Sequence, residues 1–377
     1  MTSGPRPDRL APDEVAVGQP LLPDPALFAE LTSSVWESGW LTNGGPLHHR
    51  LEREVGTLLG SPATTALTSS GTTALMLLLA LHRLPVGSEV VTTPGSFAAT
   101  ARAIEWMGLR PVFADVDPQT WCLDPDAVEE AISPRTGAIL GVHLFGVVGD
   151  HVGIDRVAQE HGIPVLYDAA HAFGVEVDGV GVGLLGAGSA FSLHATKLMH
   201  TGEGGVVTSP RPDDQAELGR LRNFGLVDGA PVDAGINGKL PETSAALGLA
   251  VLPRLQAERD ARRRLRAAYD EIMRSRDDVT TQDRLPGTTP SELFYPVRLP
   301  VARKNELARL LRRRGIHARS ELPLLCGPGT RHPDAVIVAG RPRAVAADIA
   351  DEVLALPMHG RVTDEHVEIV AEAMATL

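Results

Sequence analysis

Residues 164–208 read PVLYDAAHAFGVEVDGVGVGLLGAGSAFSLHATKLMHTGEGGVVT, and their pattern decides the fold. Three short runs in this stretch, Pro164–Tyr167, Ser189–Ser192 and Gly205–Thr208, are apolar or small almost throughout. Strands have that texture when helices cover both faces of their sheet. Asp168 stands at the end of the first run, and Lys197 lies on the loop after the second, just before Gly202-Glu203-Gly204-Gly205. Ligands of open α/β sheets bind outside the carboxyl ends of the strands, so both residues fall where a pocket is expected.

The same texture extends toward the N-terminus. Ala63–Thr68, Glu89–Thr93, Pro111–Ala114 and Ala138–His143 read as further strands. Thr72–His82, Ile154–His161 and Pro212–Leu221 have the spacing of helices lying on a sheet. This alternation predicts an α/β fold in which a mostly parallel seven-stranded sheet, covered by helices, forms a large domain over residues 25–255. A proline-rich arm, residues 1–24, precedes it. From Pro241 the texture changes: Ala245–Arg274 predicts one long helix, and Leu285–Pro290 a break near a domain boundary. Beyond it, strands at Leu293–Leu299 and His317–Ser320 and helices at Lys304–Arg314, Val345–Leu354 and Asp364–Met374 predict a smaller C-terminal α+β domain, residues 256–377.

Composition excludes several function classes. The chain has 377 residues, and 35 Lys and Arg against 47 Asp and Glu leave a net charge of −12, so no global field holds a nucleic acid or an anionic membrane. Arg262–Arg264 reads as a solvated helix face rather than an RNA site. Cys122 and Cys326 are the only cysteines, too few for a disulfide framework or a cysteine-rich zinc site. The N-terminal residues carry no apolar signal core, and the longest apolar run, Ala74–Leu81, is far shorter than the ~20 residues of a membrane span. A soluble cytoplasmic protein with no metal is expected.

Three segments carry chemistry, each after an expected strand. Ser70-Gly71-Thr72 opens a helix, whose free N–H groups and dipole suit a phosphate, although a ligand-free Ser/Thr cap reads the same way. Lys197, on its glycine-flanked loop, is placed for a desolvated amine nucleophile. Asp168, ending an apolar strand, is a carboxylate that needs a cationic partner. Pyridoxal 5′-phosphate offers a phosphate, an aldehyde and a ring nitrogen, so one ligand accounts for all three segments.

Ser192-Leu193-His194-Ala195-Thr196-Lys197, followed by Glu203-Gly204-Gly205, resembles the Ser-Phe-His-Ala-Thr-Lys and Glu-Gly-Gly blocks of the DegT/DnrJ/EryC1/StrS sugar aminotransferases, enzymes of the fold-type I pyridoxal-phosphate class. Thr42-Asn43-Gly44-Gly45-Pro46, Ser70–Leu75, Asp168–Ala172 and Gly235–Lys239 are similar to further blocks, in the family's order. The resemblance implies that Lys197 bonds the cofactor aldehyde and that Asp168 pairs with the ring nitrogen. It implies phosphate contacts for Gly71, Thr72 and Ser192, ring stacking for Phe97, and a contact between His171 and the ring hydroxyl. Asn237 matches an asparagine that reaches the phosphate of a partner subunit's cofactor, which implies a homodimer with shared sites. Asn43, Lys239 and Arg319 are the substrate-binding candidates. Phe97 and His171 also read as core residues, and Asn237 as a turn residue.

The expected activity is transfer of an amino group from an amino acid, glutamate, to the keto group of a nucleotide-linked, dTDP-type deoxysugar, with pyridoxamine 5′-phosphate as the alternate cofactor form. Family dehydratases carry histidine where Lys197 stands, so the lysine favours transamination. Gly95, Pro241 and the lack of aromatics after the arginine in Arg319-Ser320-Glu321 depart from the family pattern around the acceptor. A non-nucleotide keto sugar or keto-cyclitol acceptor is the alternative, and a non-catalytic regulatory subunit is the reading from another class.

Overall fold

The computed structural model describes residues 10–11, 13–61, 63–320, 322–338 and 344–377. Part of the expected arm (residues 1–9 and Pro12) and Glu321 lie outside the described residues.

Seven strands form the central sheet, in the order Thr65–Thr68, Gly205–Thr208, Ser189–Ser192, Val165–Asp168, Thr136–Val142, Glu89–Thr92, Arg110–Phe113. Gly205–Thr208 runs antiparallel to both its neighbours, and every other pairing is parallel. Residue alternation along each strand feeds separate cores on the two faces. Ala66, Leu166, Ala190 and Val207 pack with the helices Gly71–Ala80 and Ala98–Trp106. On the other face Leu67, Phe191 and Val206 meet the helix Pro46–Leu58 and the first half of Glu242–Arg274, while Val91, Ile139, Val165 and Tyr167 meet Pro125–Ala131 and His151–His161.

The helix Glu242–Arg274 runs 33 residues without a break, through the position where the large domain was expected to end. Its buried residues as far as Leu255 join the large-domain core, and from Leu265 to Met273 they join a second core with Tyr295, Val297, Leu307, Leu354 and Val370. That second core sits on the antiparallel strands Thr280–Thr281, Tyr295–Arg298 and Val353–Leu356.

Local expectations differ from the structure at three places. The expected helix Val345–Leu354 stops at Glu352, because Val353–Leu356 is an apolar strand paired with Tyr295–Arg298. The expected strand His317–Ser320 is instead Ile316–His317, parallel to Val15–Ala16 of the arm. Helices at Pro25–Ser38, Pro46–Leu58, Ala98–Trp106 and Pro125–Ala131 were not anticipated. Three of them begin with proline at the first helical position, where its missing N–H costs nothing, and Asp24 and Asp124 cap two of those starts. No helix among the described residues is long and apolar enough to cross a membrane.

Candidate functional site

Strand register gathers the chemistry at one edge of the sheet. Val142 pairs with Asp168, Asp168 with Ala190, Ser192 with Gly205, and Gly205 with Thr68, so five strands bring an end to the same crevice. A cavity of about 520 Å³ lies there, a volume within the usual range for cofactor and substrate sites. Gly71, Thr72, Phe97, Asp168, His171, Ser192, Lys197 and Arg319 all line it.

Beyond Thr68 the chain turns into the helix Gly71–Ala80. Ser70 caps the helix, its hydroxyl accepting from Thr73 N at 3.1 Å, which leaves the N–H groups of Gly71 and Thr72 without an intrahelical acceptor. Ser192 is pressed against this turn: a Cβ on Gly71 would lie 2.9 Å from Ser192 Cβ, so only glycine lets the serine approach the helix start. Across the turn, a Cβ on Gly205 would come within 2.4 Å of the Ser70 carbonyl oxygen. The result is an anion cradle of backbone donors with a hydroxyl beside it.

Asp168 is buried. Thr100 Oγ1 donates to Oδ2 at 2.8 Å and Ala170 N to Oδ1 at 3.1 Å. Burial nevertheless raises its pKa, against these two hydrogen bonds and the positive charge of Lys197. Such a carboxylate calls for a cation at close range. Lys197 is carried by the loop between Ser192 and Gly205, which is laced by Leu193 N to Gly204 O and Ala195 N to Gly202 O, each at 2.8 Å. Burial lowers the Lys197 amine to about 8; Asp168 opposes the shift and Arg319 adds to it. Arg319 is set by a two-way backbone bridge to Ala355 and forms no ion pair among the described residues.

His171 is walled by two rings, Phe145 nearly parallel at 6.2 Å between centroids and Phe294 edge-on at 4.8 Å. Burial, together with the charges of Lys197 and Arg319, holds its pKa well below the usual value, so the ring is neutral. Phe97 is 54% exposed at the cavity wall, an aromatic face open to a flat ligand.

These groups fit pyridoxal 5′-phosphate. The cradle matches a phosphate, the buried Asp168 carboxylate forms no ion pair among the described residues and can take the cation of a protonated ring nitrogen, and Lys197 offers an amine on the same cavity.

Three expected site residues lie outside this lining. Asn43 is exposed, with φ of 65°. Asn237 is exposed and backbone-bridged to Asn223, while Lys239 donates to Asn223 Oδ1 at 3.0 Å and sits 4.7 Å from the centre of the Phe224 ring. Their segment still borders the cradle, since Ser69 N donates to Gly238 O at 2.8 Å. Sequence reasoning missed Ser96 and Thr100, whose four-residue spacing places both hydroxyls on one side of a helix start, and Phe294, which no local pattern announces.

The family model for the DegT/DnrJ/EryC1/StrS aminotransferases matches residues 26–375. The chain is similar to a dTDP-4-amino-4,6-dideoxy-D-glucose transaminase of Escherichia coli, 33% identical over 365 residues, covering 95% of this chain and 96% of the relative. It is also similar to an L-glutamine:2-deoxy-scyllo-inosose aminotransferase of Streptomyces lividus, 33% identical over 305 residues, covering 75% of this chain and 72% of the relative. Among solved structures, DesI in the presence of its TDP-sugar product superposes with a TM-score of 0.86 at 33% identity, over 97% of this chain and 93% of that one.

Proposed function

The chain belongs to the DegT/DnrJ/EryC1/StrS aminotransferase family, and we propose that it moves an amino group from glutamate to the keto group of a dTDP-linked deoxysugar. The observation that carries the chemistry is the meeting of Lys197, Asp168 and the Gly71–Thr72 helix start on one cavity. The acceptor follows from likeness to the dTDP-sugar transaminase, which spans nearly the whole of both chains.

Pyridoxal 5′-phosphate, when bound, supplies a carbonyl carbon that exchanges amines and a protonated ring that takes up electrons. The N–H groups of Gly71 and Thr72 and the Ser192 hydroxyl bind its phosphate, and Phe97 covers a ring face. Asp168, ionised and fixed by Thr100 and Ala170, keeps a proton on the ring nitrogen. Arg319, which lines the cavity and forms no ion pair among the described residues, receives the carboxylate of the donor amino acid. Lys197 Nζ takes a proton from the donor α-carbon and later returns one to the acceptor carbon, a task suited to an amine poised near about 8.

In the same reading the enzyme is a cytoplasmic homodimer whose sites are completed across the interface. Two buried free cysteines suit a reducing compartment. The exposed Asn237, beside its own cradle yet outside its own cavity, suits a contact with the partner's phosphate. A second acceptor class, a keto-cyclitol, is favoured by the Streptomyces relative.

Purified holoenzyme given glutamate and either dTDP-4-keto-6-deoxyglucose or 2-deoxy-scyllo-inosose, with products read by mass spectrometry, tests both readings. Amination of the nucleotide sugar alone supports the first, and amination of the cyclitol alone replaces it with the second. In Lys197→Ala, turnover beyond a trace would remove the lysine from the chemistry.

A further inference from the structure

Phe145 is a buried aromatic residue in left-handed backbone, φ 52° and ψ 14°, and Gly146 follows it at φ 84°. Two consecutive positive-φ residues suit asparagine and glycine, and a bulky aromatic in the first position is strained. Strain of this kind persists only where the surroundings enforce it, and it marks sites that need an unusual backbone direction. Here the direction has a visible use. The turn, closed by Gly146 N to His143 O at 2.9 Å, aims the Phe145 N–H at His171 Nδ1, 3.2 Å away. Gly146 makes the approach possible: a Cβ there would meet the His171 carbonyl oxygen at 2.4 Å and Ser291 Oγ at 2.2 Å.

A backbone N–H can only donate, so His171 Nδ1 must accept and the ring proton must sit on Nε2. Phe145 therefore binds His171 twice, by its N–H and by its nearly parallel ring, while Phe294 holds the edge. Lys197 and Arg319 are the charged groups acting on His171, and both favour the neutral ring.

We infer that Phe145 is a positioning residue whose left-handed backbone fixes His171 as a neutral Nε2–H donor facing the cofactor cavity. The inference rests on the reading of that cavity as the pyridoxal-phosphate site. The polarity of His171 is nevertheless a property of the protein alone, so it is measurable without the cofactor.

Nitrogen-15 NMR of histidine-labelled full-length protein, with and without pyridoxal 5′-phosphate, reads the tautomer. The expected result is a single Nε2–H form of His171 in both samples, unchanged between about pH 6 and 8. A protonated Nδ1, or a ring that titrates in that range, overturns the inference whether or not the cofactor binds. Two variants separate backbone from ring. Phe145→Gly keeps the N–H and tolerates the left-handed turn, so the tautomer persists. Phe145→Val, β-branched and hostile to positive φ, withdraws the N–H. His171 then becomes a tautomer mixture, the visible band of the holoenzyme moves, and turnover falls by about tenfold, the worth of one hydrogen bond. A folded Phe145→Val protein with a wild-type tautomer also overturns the inference. If that variant fails to fold, the wild-type spectrum still decides. Failure to load cofactor with the expected tautomer intact would count against the reading of the cavity and leave the role of Phe145 standing.

Discussion

Thr100 Oγ1 donates to Asp168 Oδ2 at 2.8 Å, and because its single proton is spent there, Ser96 Oγ must donate to Thr100, also at 2.8 Å. The two hydroxyls form a one-way chain that ends on the carboxylate and stabilises its ionised form. Thr100→Val leaves a buried carboxylate oxygen without that donor, at a cost of about 1–3 kcal/mol. The Asp168 pKa, already raised by burial, rises further, so the acidic limb of the pH–rate profile moves to higher pH. Turnover should fall about tenfold to a hundredfold, with Thr100→Ser close to wild type. A Thr100→Val profile superimposable on wild type would show that the hydroxyl is packing alone.

The Lys197 amine should behave as a base of about 8 in cofactor-free protein. Acylation by an amine-directed reagent, followed by peptide mapping, should rise with pH through that midpoint rather than near the ordinary 10.5. Asp168 raises this pKa and Arg319 lowers it, so Asp168→Asn should move the midpoint down and Arg319→Met should move it up. Shifts of the same sign in both variants would contradict the electrostatics of the pair.

Gly71→Ala should cut cofactor retention by about tenfold or more, because its methyl enters the space of Ser192. Ser192→Gly in the same chain clears that space and should recover part of the loss. Absorbance remaining after gel filtration measures both. Equal retention in Gly71→Ala and wild type would mean that the cradle is looser than its contacts indicate.

Glu52 is buried and accepts from His48 Nε2 at 3.1 Å, Arg222 Nη1 at 2.6 Å and Leu67 N at 3.1 Å. Burial pushes its pKa up, but His48 and Arg222 override this and bring it from 4.5 to about 2. A depressed carboxylate contributes stability that is fully present above its unfolded pKa and is lost as pH falls through the folded one. Glu52→Gln, which leaves Arg222 buried without its partner, should cost about 3 kcal/mol at neutral pH. The deficit should shrink as pH falls from 4.5 toward about 2. Urea unfolding of both proteins at several pH values checks the sign, and a deficit that grows on acidification would refute it.

If Asn237 serves the partner's phosphate, Lys197→Ala and Asn237→Asp chains that are inactive apart should regain activity when their subunits are exchanged. Each mixed dimer would then hold one doubly damaged site and one intact site, so random pairing restores roughly a quarter of the sites. Exchange verified by mass, with no recovery, would confine Asn237 to its own chain.

The central sheet was legible because its strands are buried on both faces, and such strands read as unbroken apolar runs whatever lies around them. Ser189–Ser192 and Gly205–Thr208 were read to the residue. Val353–Leu356 was not, because four apolar residues after a helix carry the same pattern as one more helical turn, and only the pairing with Tyr295–Arg298 makes them a strand. The helices at Pro25 and Pro46 were hidden by prolines that look like breaks until a cap or a first turn is seen around them. At the site, Lys197, Asp168 and Gly71 stand beside strand ends and announce themselves. Thr100, Phe145 and Phe294 act through a histidine or a carboxylate distant in the chain, and a relation of that kind leaves no mark on local spacing.

Val15–Ala16 pairs with Ile316–His317, and the segment that follows gives its Ala16 carbonyl to His359 Nε2 and its Leu21 carbonyl to His200 Nε2. The first pairing joins residues about 300 positions apart, so at ~5–20 residues per second a ribosome makes the arm roughly 15–60 s before its docking strand exists. Throughout that interval the sheet can assemble and Leu21 can meet His200, while Val15–Ala16 has no strand to pair with. The Val15–Ala16 pairing is therefore made late, and a nascent chain stalled anywhere short of Ile316 should present these two residues to proteases and chaperones even with the large domain already formed.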